Sequence, residues 1–393
     1  MCSKLIKTGF VRMIVLITTF GLFVLINPAY TVSGNSLKTE IPLLTVPKSP
    51  KQNVPAQLQS LSTPSLFSPQ PIWQQLEFLI LPPSRIGSSF VLNPINRIAL
   101  LFGGLSSSGD ELNDLWMTNG LEWMQFQTPH SPEKRRNASM AYDDALQSTI
   151  LFGGINNFTL LGDTWLFNGA DWVQKQPPVS PSPRANASMT YDANHNLIVL
   201  FGGQIDIRQN YSEPSNETWV WDGANWQQIP LENAPPSRWG ANIVYDRARK
   251  SIILFGGSAG GAYYDDTWLW DGTSWTEMHP LHRPAGRADF GMAFDESRQQ
   301  VILFGGQSYA YIDTTETWAW DGQDWIQLQA FQSPPKDLAY GAQLVYVPDL
   351  QAVMLYNAFR QKSIIADENI FAELSSVWFL NYRYLIYLPI IDK

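Results

Sequence analysis

Residues able to do covalent or metal chemistry are scarce in this chain. Its 393 residues include 4 His and 1 Cys. His279 and His282 have a spacing that could suggest a metal site, but they lie in a Pro-containing connection with no further ligand nearby. Cys2 has no second thiol to pair with, so neither an internal disulfide nor a thiolate cage can form. No Gly-x-Ser-x-Gly, His-Glu-x-x-His or phosphate-cradling loop occurs. We therefore expect no catalytic residue, no metal and no cofactor.

Two charged positions do recur. Arg85, Arg136, Arg184, Arg238 and Arg287 each stand ahead of an apolar stretch, and Asp114, Asp163, Glu217, Asp266 and Glu316 each lie two residues before a Trp. Near residue 337 the next copy has Asp337, and before Trp378 it has Ser376, so it has lost both charges together. Charges repeated once per unit normally belong to the framework. A guanidinium fork suits a carboxylate, so we expect Arg–carboxylate pairs inside each unit. The rival is a ring of Arg forming an anion site.

The elements that position these charges follow from a repeat. Leu-Phe-Gly-Gly begins at Leu101, Leu151, Leu200, Leu254 and Leu303, and Val353-Met354-Leu355-Tyr356-Asn357 is a copy without the glycines. Trp pairs follow: Trp116/Trp123, Trp165/Trp172, Trp219/Trp226, Trp268/Trp275 and Trp318/Trp325. Between the two Trp sits Asn-Gly or Asp-Gly, for example Asn168-Gly169 or Asp271-Gly272. This dipeptide predicts a hairpin with both turn residues at positive φ. Each unit then reads as four strands: an inner strand such as Met189–Asp192, the Leu-Phe-Gly-Gly strand, and one strand for each Trp. A period of about 50 residues with four strands predicts an all-β, six-bladed propeller.

The glycine pair, the downstream aromatic and the Trp resemble the Kelch repeat over residues 72–381. Closure is legible too. Trp73-Gln74-Gln75-Leu76 precedes Pro82-Pro83-Ser84-Arg85 just as Trp226-Gln227-Gln228-Ile229 precedes Pro235-Pro236-Ser237-Arg238. The N-terminal strand is therefore expected to complete the sixth blade, which removes an open edge. The tail Tyr382–Lys393, which contains Tyr384–Leu388, is the alternative for that slot. Galactose oxidase resembles this fold, but its Cys–Tyr crosslink has no counterpart here because Cys2 lies outside the repeats. The Asp-Gly hairpins differ from the sialidase Asp-box by lacking a residue between Asp and Gly. The Kelch-type sialic acid mutarotases are a further analogy at the level of the fold, and an envelope carbohydrate-active enzyme is the alternative function.

Binding on such a scaffold is expected in the variable loops. Candidates are Asn157 and Phe158, Arg208 and Tyr211, Tyr263 and Tyr264, and Tyr309 and Tyr311. Asn137, Asn186, Trp239, Asp289 and Tyr340 are expected beside the axis. Exposed Tyr, Trp and Asn suit a protein surface or a sugar ring. We expect a binding or interaction module for a protein or glycan ligand, acting as a monomer. Net charge is −9 with no basic stripe, which disfavours nucleic acid. Lys4, Lys7 and Arg12 precede the uncharged run Met13–Ile26, so residues 1–34 read as an export signal, with an uncleaved membrane anchor as the alternative. That places the protein outside the cell or in the envelope. Residues 35–71 read as a Pro/Ser-rich spacer, and 382–393 as a tail.

Overall fold

The computed structural model describes residues 16–18, 21–23, 69–208, 211–309, 312–362 and 371–383. Contacts divide the chain into two units, Met1–Thr63 and Pro64–Lys393. In the first, Leu16–Thr18 pairs antiparallel with Gly21–Phe23. The second unit is the propeller. Among the described residues no helix is long and apolar enough to cross a membrane.

Blades 1 to 5 each arise from consecutive antiparallel strands. Blade 4 serves as the pattern: Asn242–Asp246 lines the axis, Ser251–Phe255 and Thr267–Trp270 follow, and Trp275–Met278 lies outermost. The second strand is buried on both faces, so it reads as a continuous apolar run rather than an alternating one. The core accordingly lies between blades. Phe152 and Ile150 of blade 2, for example, pack with Met189, Trp221 and Trp226 of blade 3.

Blade 6 is assembled from both ends of the unit. Gln343–Val347, Ala352–Lys362 and Phe371–Arg383 supply three strands, and Gln70–Leu76 adds the fourth. The register runs from Gln70↔Arg383 to Leu76↔Val377. The closing strand thus begins inside the segment read as spacer, and the last strand runs past 381 into the segment read as tail. Pro71 is tolerated because this is an edge strand. Tyr384–Leu388 lies outside the described residues.

Indole hydrogen bonds lock the closure. Trp226, Trp275 and Trp325 each donate Nε1 to a threonine of the preceding blade: Thr164, Thr218 and Thr267, at 2.9–3.0 Å. Trp73 makes the same bond to Thr317 of blade 5, at 2.8 Å. Trp123 and Trp172 have buried indole nitrogens with no partner among the described residues, since Val377 and Leu115 occupy the threonine position.

The hairpins between the two Trp form, but by a different turn. Phe167 pairs with Trp172 across a four-residue loop, and only the glycine of each dipeptide has positive φ. Asn168 Oδ1 accepts from the Ala170 and Asp171 amides at 2.9 and 3.0 Å. The Asx side chain therefore replaces the second left-handed residue.

Candidate functional site

The recurring charges build the blade framework, with one correction. Arg85, Arg184, Arg238 and Arg287 have fully buried side chains paired with Asp114, Glu217, Asp266 and Glu316. In blade 2 the arginine is Arg135, at 2.7 and 2.8 Å from Asp163, and not Arg136. Spacing carried the signal. Each framework arginine donates Nη1 to a glycine carbonyl 18 residues later, and Arg135 keeps that interval to Gly153. Each of these arginines pairs with the acid of its own blade, so Glu217 serves Arg184 and Asp266 serves Arg238.

The acid does a second job. Asp114, Asp163, Glu217 and Asp266 also accept from the indole of the Trp two residues on. Burial opposes ionisation of Asp114, Asp163 and Glu217, but their arginine bonds outweigh it and hold the carboxyls below ordinary values. The glycine pair is required by the same framework. Gly103 has φ 64°, and a Cβ there would lie 2.6 Å from the Arg135 carbonyl oxygen of the next blade.

Two residues after each framework position the chain turns left-handed. Gly87, Asn137, Asn186, Gly240, Asp289 and Gly341 have φ of 54–69°. Their backbones form a collar from blade to blade: Asn137 N donates to Gly87 O, Asn186 to Asn137, Gly240 to Asn186, Asp289 to Gly240 and Gly341 to Asp289, at 2.6–3.0 Å. In blade 6 this register puts Ala339, not Asp337, at the arginine position, because Gly306 N bonds Ala339 O as Gly257 N bonds Arg287 O.

The collar rims one end of an axial cavity of ≈560 Å³ that runs along the inner strands of all six blades. In blades 1 to 5 the residue before the collar position bridges to the loop after the glycine pair, as in Trp239↔Ser258 and Ala288↔Gln307, so both sets of loops share this face. Asn137, Asn186, Trp239, Asp289 and Tyr340 all line the cavity, joined by Arg136 and Gln204, which sequence reasoning did not place there. Asn186 Nδ2 donates to Gln204 Oε1 at 2.9 Å. Arg136 Nε lies 3.7 Å from Glu111. At the far end Arg247 bridges Asp144 and Glu296, at 3.4 and 3.5 Å.

Other candidates go elsewhere. Tyr264 is not a free loop residue: the Arg238 guanidinium lies over its ring, 4.1 Å from the centroid. Tyr263 is half-buried and donates its hydroxyl to Gln307 Oε1 at 3.3 Å. Arg208 pairs with Asp206. Asn157, Phe158 and Tyr309 are exposed on the loop face, away from the cavity lining. The Tyr211 side chain and Tyr311 lie outside the described residues. His282 Nδ1 lies 2.7 Å from Asp324 Oδ2 of the next blade, as His130 does from Asp171, so these rings tie neighbouring blades together.

Fold and repeats together define a six-bladed β-propeller of four-stranded blades. The family model described as the KLHDC2/KLHL20/DRC7 Kelch-repeats domain matches residues 70–222, from the closing strand into blade 3. No curated protein matches the chain.

Proposed function

We propose that this chain is a protein-interaction module that seats part of a partner protein in the loop-face mouth of its ring. The carrying observation is the axial cavity, whose rim combines Trp239 and Tyr340 with the polar side chains of Asn137, Asn186 and Asp289. An aromatic pair beside a few fixed polar groups suits recognition of a protruding side chain. The Kelch-repeat match supports interaction as the role. Acid–base catalysis would need convergent ionisable groups; Arg247 is committed to Asp144 and Glu296, and Asp289 has no ionisable partner within bonding reach among the described residues. Export is part of the same proposal, supported by Lys4, Lys7 and Arg12 ahead of the apolar run Met13–Ile26.

The test is selection of a random twelve-residue peptide library on the full chain. Peptides should be enriched, and Trp239→Ala and Tyr340→Ala should each weaken them without lowering the melting temperature. Enriched peptides indifferent to both variants, or no enrichment, would remove the mouth as the site.

A further inference from the structure

We infer that the group docking in this mouth is a cation, a lysine ammonium or arginine guanidinium on the partner's segment, and that it pairs with Asp289. The inference rests on the mouth being the docking site and goes further by naming the chemistry it recognises.

The charged residues lining the cavity are Arg136, Asp144, Arg247, Asp289 and Glu296. Arg247 holds Asp144 and Glu296, and Arg136 stands beside Glu111. Among the described residues nothing pairs with the Asp289 carboxylate. A half-buried carboxylate without a partner is costly, and burial pushes Asp289 up to about 7. The backbone does not demand the charge. Asn137 and Asn186 hold the same left-handed position with neutral amides, at φ 55° and 54°. An asparagine would serve the collar equally well without desolvating a charge.

The Asp289 carboxylate is half-buried and lies against the Gly240 backbone. Both collar neighbours of Asp289 are glycines. A Cβ on Gly240 would lie 2.7 Å from Asp289 Oδ1, and one on Gly341 would meet nothing within 4 Å. The residues preceding those glycines are Trp239 and Tyr340, both on the cavity lining. A carboxylate on a rim that also carries two aromatic residues suits a cation, since ring faces and carboxylate attract the same charge. Arg136 is two collar steps from Gly240 and three from Asp289, so it sits on the opposite side of the six-membered ring. A net charge of −9 favours encounter with a basic partner.

The peptide selection described above separates this inference from the docking proposal. Enriched peptides should share a lysine or arginine. Replacing that residue by norleucine should weaken binding about ten- to a hundredfold, the worth of a charge-assisted bond. Asp289→Asn, which keeps the left-handed backbone, should cause a loss of the same size, and the two changes together should lose little more than either alone. Peptides that need Trp239 and Tyr340 yet bind Asp289→Asn unchanged would overturn the cation inference and leave the docking site standing. Peptides indifferent to all three positions would overturn both.

Discussion

In blade 4 the Arg238 guanidinium reaches the Gly256 carbonyl at 2.8 Å and both oxygens of Asp266. In blade 6 the direction reverses. Ala339 stands at the arginine position, and Asn357, 18 residues on at the glycine position, donates Nδ2 to Leu338 O at 2.7 Å and Tyr340 O at 2.8 Å. A single buried amide thus ties the inner turn to the second strand, where blade 4 uses an ion pair. The exchange has a backbone consequence. Gly256 and Gly257 break the second strand at φ 69° and 100°, whereas Asn357 has no positive φ and its strand runs on to Lys362. Blade 6 therefore lacks the glycine pair and the ion pair together, and a side-chain amide stands in their place.

Closure separates the two blades most sharply. Trp275 belongs to a strand continuous with its own blade, while Trp73 arrives from the other end of the propeller unit and is fully buried. Trp73→Ala should cost about 3–5 kcal/mol through lost burial and a stranded Thr317 hydroxyl. Deleting residues 1–63 should leave the urea midpoint unchanged, because the described residues of that unit contribute no strand to a blade. A deletion as damaging as the tryptophan substitution would place the closure elsewhere.

The framework pair gives the next effect. Arg238→Ala should cost about 3 kcal/mol, because it strands a largely buried carboxylate. Adding Asp266→Ala should cost less than the sum of the single changes, whereas adding Glu217→Ala should be additive, since Glu217 belongs to Arg184. Asn357→Ala should cost about 1–2 kcal/mol by leaving two carbonyls short of a donor. The pairs also carry a pH signature. Asp114, Asp163 and Glu217 are held below their ordinary values, so their stabilisation is complete above the unfolded carboxyl pKa and is lost as pH falls through the folded one. Arg135→Ala should flatten that acid limb in urea melts taken across falling pH, and Asn357→Ala should not. Parallel acid limbs in the two variants would break the comparison.

The repeat made the fold legible because several positions recur in phase, and the Trp73 match placed the closing strand. The framework was legible as Arg plus acid, but Arg135-Arg136 offered two choices, and only the fixed interval to the glycine distinguishes them. The turn type was misread because the Asx side chain supplies the bonds that a second left-handed residue would otherwise organise. The collar was half visible. Asn137, Asn186 and Asp289 are true collar residues, but Trp239 and Tyr340 precede glycines that carry the left-handed turn. A residue without a side chain leaves no chemical mark in a sequence, so Gly87, Gly240 and Gly341 passed unnoticed. Tyr264 shows the opposite case: its aromatic ring suggested a ligand, and its packing over a framework arginine left no mark in the sequence.

The smallest expected effect compares two loop hairpins. In blade 4 the tip is Gly260-Gly261, at φ 57° and 86°; in blade 2 it is Asn157-Phe158, at φ 48° and 64°. Asn tolerates this conformation, but Phe pays roughly 1–2 kcal/mol for it, and its ring is 79% exposed, so little packing offsets the strain. Phe158→Gly relieves the strain and adds about 0.5–1 kcal/mol of backbone entropy cost. The net gain should be about 0.5 kcal/mol, read as a small rise in urea midpoint at constant slope. Gly261→Phe should lower the midpoint, since it installs the same strain in blade 4. A loss of more than about 1 kcal/mol in Phe158→Gly would show that the ring is held by neighbours after all, and the hairpin would then belong to the framework rather than the loop face.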